Sequence, residues 1–190
     1  MAIKGLGVIK EEMGKSAQTL KIEDGKNVVI RILTPADEVI GIYEHTEQIN
    51  GSWKTVTCLG KDNCPMCQAG KRGSFKAYLL VADRTDGDKV KIFKASKTVV
   101  KQLLGLVDEY GDITARDFKV ARTGKGLDTT YQFFARDPQE FTVELGELPD
   151  LEEVVAPMTR EAMLEMMNGA GTVSTVTTNN TSGESTDYPF

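Results

Sequence analysis

Residues 45–67 read HTEQINGSWKTVTCLGKDNCPMC and hold the only histidine and all three cysteines of the 190-residue chain. The order is His45-x12-Cys58-x5-Cys64-x2-Cys67, with Pro65 and Met66 inside the last pair. Three thiolates and an imidazole make a closed four-coordinate set for one zinc ion, with no position left for water, which is the structural kind of site. Three other chemistries suit parts of the cluster. A disulfide leaves one cysteine odd, a thioredoxin-like pair leaves His45 and Cys58 unexplained, and unrelated buried thiols do not account for the two-residue spacing. Zinc uses all four residues. Such an ion contributes to folding, at about 10–16 kcal/mol of binding free energy.

Outward from this segment the chain reads as strands. Asn50-Gly51 is a hairpin signal between a strand over Ile40–Gln48 and one over Trp53–Cys58, which puts His45 and Cys58 on adjacent strands facing the same way. Val28–Leu33 alternates before Pro35. Phe75–Arg84 and Val90–Lys94 flank the turn Asp86-Gly87-Asp88, and Phe118–Thr123 and Thr129–Ala135 flank Gly124-Lys125-Gly126. One helical stripe, Val99, Val100, Leu103, Leu104 and Val107, runs over Ser96–Tyr110 to Gly111. The fold class expected is mainly β, about five to seven strands with one or two helices. That pattern suits a Greek-key barrel of the oligonucleotide/oligosaccharide-binding (OB) type with an inserted zinc subdomain.

The division expected is a flexible arm at 1–20, a body at 21–136 with the zinc subdomain at 45–67, an acidic segment with a short helix at 137–169, and a disordered tail at 170–190. Thr159 starts the short helix, and Met163, Met166 and Met167 form its packing face. Residues 137–155 read as extended. The net charge of −5 is uneven: residues 1–136 carry 22 Lys/Arg against 17 Asp/Glu, and residues 137–190 carry one against 11. A mildly basic body beside an acidic extension suits a nucleic-acid binder. With no signal-like or membrane-length apolar stretch, the expectation is a soluble cytoplasmic protein, in the host cytoplasm if viral, with no membrane partner. No catalytic set stands out, so no enzyme is expected.

The His-x12-Cys pair followed by Cys64-Pro65-Met66-Cys67 resembles the zinc segment of the T-even phage single-stranded DNA-binding (helix-destabilising) proteins. The terminal Asp187-Tyr188-Pro189-Phe190 is similar to the tip of bacterial single-stranded DNA-binding proteins, which recruits replication and repair partners. The Cys58–Cys64 gap is shorter than in the T-even protein, and the tail lacks a dense acidic run. The resemblance implies sequence-tolerant binding of single-stranded DNA in phage replication, recombination and repair. It also implies one structural Zn2+, a partner-binding tip at Asp187–Phe190, and a chain that binds along the strand as a monomer.

Such binding needs rings for stacking, at about 1–3 kcal/mol per base, and cations that track phosphates. The ring candidates are Trp53, Phe93, Tyr43, Tyr78 and Tyr131. Phe93 stands out because alternation puts it beside Lys89 and Lys91 rather than Val90 and Ile92. The cation candidates are Arg31, Lys71, Arg72 and Lys76, and further on Lys91, Lys94, Arg122 and Lys125. Two rivals stand beside this reading: a zinc-stabilised transcription or recombination factor acting through protein contacts, and a metal-dependent hydrolase, which four protein ligands argue against.

Overall fold

Asn50 and Gly51 both take left-handed backbone angles, φ 51° and 78°, as a two-residue hairpin turn matched to strand twist requires. The turn sets the register: Ile49 faces Ser52, Gln48 faces Trp53 and His45 faces Val56. In the computed structural model, which describes residues 18–168, these strands are β3 (Ile40–Ile49) and β4 (Ser52–Thr57). The other strands are β1 (Gln18–Thr19), β2 (Asn27–Ile32), β5 (Ser74–Asp83), β6 (Lys89–Ser96), β7 (Arg116–Thr123) and β8 (Thr130–Pro138). The helices are α1 (Pro65–Gln68), α2 (Lys97–Tyr110), α3 (Leu151–Val155) and α4 (Arg160–Asn168). Among the described residues no helix is long and apolar enough to cross a membrane.

Over the described residues the fold is mainly β, with eight strands in one open mixed sheet and four α-helices, more of each than the sequence pattern predicts. The surplus is short. β1 has two residues, and α1 and α3 have four and five, too few for a period to register. The expected arm therefore ends in a strand, β1, paired parallel to β6.

β5 organises the sheet. β6 runs along one edge, while the other edge is shared, its first half pairing with β3 and its second half with β2. β7 joins β2, and β8 joins β7. The sheet curls until Phe93 of β6 lies 6.1 Å, centroid to centroid, from both Tyr131 and Phe133 of β8. Ile30, Ile32, Leu79, Val81, Phe118 and Val120 fill the space between, and α2 closes it with Val99 and Leu103. Ser96 caps α2 by accepting from the Val99 amide, and Gly111 at φ 70° ends it. Leu104, a member of the predicted stripe, is 58% exposed, because it sits about 100° round the helix from Leu103.

The opposite face of β5 and β6 is also covered. Leu151 and Val155 of α3 pack on Tyr78, Leu80 and Ile92. At 151–155 this corrects the extended reading of 137–155: one face of a helix presents residues four apart, and the Asp150 carboxylate accepts from the Glu152 amide to start it.

Candidate functional site

His45 lies in the middle of β3 and is buried. Cys58 follows the end of β4, where its amide donates to the Tyr43 carbonyl at 2.8 Å. Cys64 and Cys67 come from a knuckle whose backbone is tied by Cys64 N–H to Gly60 C=O at 2.8 Å and by Lys71 N–H to Met66 C=O at 2.9 Å. Pro65 is pre-set for the first turn of α1. These local ties bring the four side chains together, with all four donor atoms within 4.8 Å of one another. His45 Nε2 lies 3.4 Å from Cys64 Sγ and 3.5 Å from Cys67 Sγ, and Cys58 Sγ lies 3.5 Å from Cys67 Sγ. The cluster can hold a single metal ion. The separations are too long for a disulfide, and all three cysteines are free.

The electrostatics ask for a cation. Burial and the neighbouring sulfurs of Cys58 and Cys64 push the Cys67 thiol up to about 12. Burial alone would also raise Cys64, but the amides of Cys67, Leu59 and Met66 outweigh it and hold that thiol below its ordinary value. Burial lowers the His45 pKa against the opposing pull of Glu47, which favours the neutral, ligating imidazole. The Cys67 thiolate is therefore favoured only when a positive charge sits beside it.

The apolar shell of the cluster comes partly from far along the chain. Met163 of α4 is fully buried against Ile49, Val56, Cys64 and Met66, with its sulfur 3.7 Å from Cys64 Sγ. Met166 and Met167 pack on the same cluster, so the methionine face predicted for this helix is a packing face. Arg160 ties the helix to the knuckle through the Asn63 carbonyl and Gln68 Oε1. Met163→Ala is expected to lower unfolding free energy by about 2–5 kcal/mol in urea titration, with the metal leaving earlier in the transition.

No family model matches this chain, and no curated protein matches it.

The ring and cation candidates separate into distinct places. Lys76, Lys94, Arg122 and Tyr131, with Lys21, line one cavity of about 750 Å³ beside the N-terminus of α2. Ser96, Thr98, Thr129 and Thr130 add hydroxyls, and Glu23 is the only carboxylate among its described lining residues. Lys125 is exposed next to this cavity, 4.0 Å from Asp24. Lys71 and Arg72 are exposed beside the knuckle, and Lys71 pairs with Glu47 at 3.0 Å. Trp53 is 70% exposed and Tyr43 60%.

Four candidates are corrected. Arg31 is 2% exposed, and its guanidinium is used up by Asp117 at 2.6 Å and by the carbonyls of Thr114 and Gln139. Phe93 is 3% exposed and part of the core, because the face it shares with Lys91 is the inside of the curl. Tyr78 is buried under α3 and donates to Glu44 at 2.5 Å; burial and that carboxylate raise its pKa. Lys91 is held by Asp83 at 2.8 Å and Asp86 at 2.7 Å. None of these four presents a free group to a ligand; of the cavity's cations, Lys94 also pairs with the buried Glu44 at 3.0 Å and Arg122 donates to the Ile22 carbonyl at 2.5 Å.

The sequence reading missed Lys21 and Phe134. Leu20-Lys21-Ile22 alternates buried, exposed, buried, a strand-like signal submerged in the reading of an arm. Phe134 is 50% exposed, on the outer face of β8 opposite Tyr131 and Phe133. Asp187–Phe190 lie outside the described residues, as do most of the arm and the tail.

Proposed function

We propose that this protein binds single-stranded DNA without strong sequence preference, protecting and unwinding it during phage replication, recombination and repair. The observation that carries this reading is the cavity beside α2, whose lining includes Lys21, Lys76 and Tyr131 together with Lys94 and Arg122. Lys21 and Lys76, which make no ion pair among the described residues, and the Tyr131 ring meet the two needs of a sequence-tolerant binder: charge for phosphates and a π-face for a base. Trp53 adds an exposed ring on the β3–β4 hairpin, on the same side of the sheet as Thr46 and Thr55.

An OB-type barrel fits the sharing of β5 between β2 and β3 and the meeting of β6 with β8 through Phe93. Zinc fits the cluster best. A tetrahedral Zn2+ with two sulfurs or a sulfur and a nitrogen at its usual bond lengths sets donor separations of roughly 3.6–3.8 Å. The observed 3.4–3.5 Å contacts are close to that. With His45, Cys58, Cys64 and Cys67 all bound, no coordination position is left, so the ion's role is structural, in keeping with a binding protein.

The test is titration of Trp53 fluorescence with homopolymer strands across a salt series. The expected result is quenching with little base preference and a log K against log salt slope near −0.7 per phosphate contacted. Lys21→Ala and Lys76→Ala should each weaken binding and flatten that slope by about 0.7. Binding to duplex but not to single strands, or to a protein partner alone, overturns the reading.

A further inference from the structure

Tyr131, Phe133 and Ala135 of β8 pack inward with Phe118 and Val120 of β7, so alternation turns Gln132, Phe134 and Arg136 to the outer face. Register partners share a side of the sheet. Lys119 therefore stands beside Phe134, Ala121 beside Gln132 and Thr123 beside Thr130. Half of the Phe134 surface is exposed, since this side of β8 has no core to join. One exposed ring is ordinary on a protein surface. What sets this one apart is the charge around it. Lys119 and Arg136 are exposed and make no ion pair among the described residues. Of the two carboxylates on these strands, Asp117 is buried and held by Arg31 and Gln139, which leaves Asp137, beyond Arg136, as the exposed one.

This face is continuous with the basic cavity. Thr130 lines that cavity and begins the outward row Thr130, Gln132, Phe134 and Arg136, which runs for roughly 20 Å. The Thr123 and Thr130 hydroxyls meet at 2.8 Å where the row leaves the cavity. At its far end Arg136 lines a polar cavity of about 360 Å³ together with Arg84 and Thr85. A ring with one cation directly across from it and another two residues on suits a chain of flat bases joined by phosphates.

We infer that a single strand seated in the basic cavity continues over the outer face of β8, with a base stacked on Phe134 and phosphates at Lys119 and Arg136. The inference rests on the proposed single-strand function. It adds a second tract, on the side of β8 opposite Tyr131.

The experiment titrates the full chain with two oligothymidylates, one of about 4 nucleotides to fill the cavity and one of about 16 to reach past it. Phe134→Ala is expected to weaken binding of the long strand about 5- to 150-fold and to leave the short strand unchanged. Its salt slope should stay the same, because stacking displaces no counterions, whereas Lys119→Ala and Arg136→Ala should each flatten the slope by about 0.7 for the long strand alone. Phe134→Tyr, which keeps the π-face, should bind within about twofold of the unaltered protein. The urea midpoints of all four variants should match that of the unaltered protein, since each side chain is exposed. With 5-bromodeoxyuridine along the long strand, photocrosslinks should reach residues 132–136. If both strands bind and Phe134→Ala changes neither, or weakens both alike, the tract is overturned and the single-strand function stands. The tract also falls if Phe134→Ala instead splits a self-associated form of the chain in sedimentation and leaves strand binding intact. If the unaltered protein binds neither strand, both readings fall.

Discussion

Stripping the metal with a chelator is expected to melt the segment around the knuckle while the main sheet persists. The reason lies in how the apolar residues divide. Ile49, Val56, Cys64, Met66 and Met163 form one cluster around the metal ligands, separate from the larger core under α2. The smaller cluster is too poor in apolar residues to hold the β3–β4 tip, α1 and α4 together by itself, so much of the binding free energy of the ion, about 10–16 kcal/mol, is folding free energy for this region. Native mass spectrometry should find one zinc per chain. After chelation, hydrogen exchange should rise through residues 45–71 and 160–168 and stay low in β2 and β7. Cys64→Ser should behave in the same way, since its sulfur is fully buried among the ligands. A metal-free chain with unchanged exchange in those segments would remove the structural role of the ion.

Asp117→Ala should destabilise the protein by about 3–5 kcal/mol in urea unfolding, as much as truncating a large core side chain. Arg31 and Asp117 are each 3% exposed at the side chain, and their 2.6 Å contact lies between β2 and β7. Removing the carboxylate strands a buried guanidinium with only carbonyl partners, and its desolvation cost is then uncompensated. The effect spreads. Gln139 donates to Asp117, and the guanidinium groups of Arg31 and Arg84 each lie 5.2 Å from the Phe141 ring, so exchange at 139–141 should rise as well. Arg31→Met, which leaves Asp117 its contacts with Arg84 and Gln139, should cost less. Whatever fraction of the Arg31→Met variant stays folded should bind DNA with an unchanged salt slope, because Arg31 reaches no phosphate. A flattened slope would return Arg31 to the ligand surface.

Much of this was legible in residue order. The metal cluster could be read because its ligands span only residues 45–67 and one hairpin aligns two of them. The Asn50-Gly51 turn, the Ser96 cap and the Gly111 stop are chemistry of adjacent residues, and each forms where the chain pattern puts it. The choice of exposed groups was less legible. Alternation says that the two sides of β6 differ, but here both are covered, one by the curled sheet and one by α3. Phe93, beside lysines, is thereby a core ring, while Tyr43, on the same face of β3 as the buried His45, stands 60% exposed.

Short-range chemistry therefore settled the hairpins, the knuckle and the grouping of His45, Cys58, Cys64 and Cys67, since turn geometry and ligand spacing depend on residues a few positions apart. Distant partners settled which charges and rings are free. Arg31 is neutralised by a carboxylate 86 positions away, and Cys64 is covered by a methionine 99 positions away. Burial depends on what packs from elsewhere in the chain, and no local pattern carries that information.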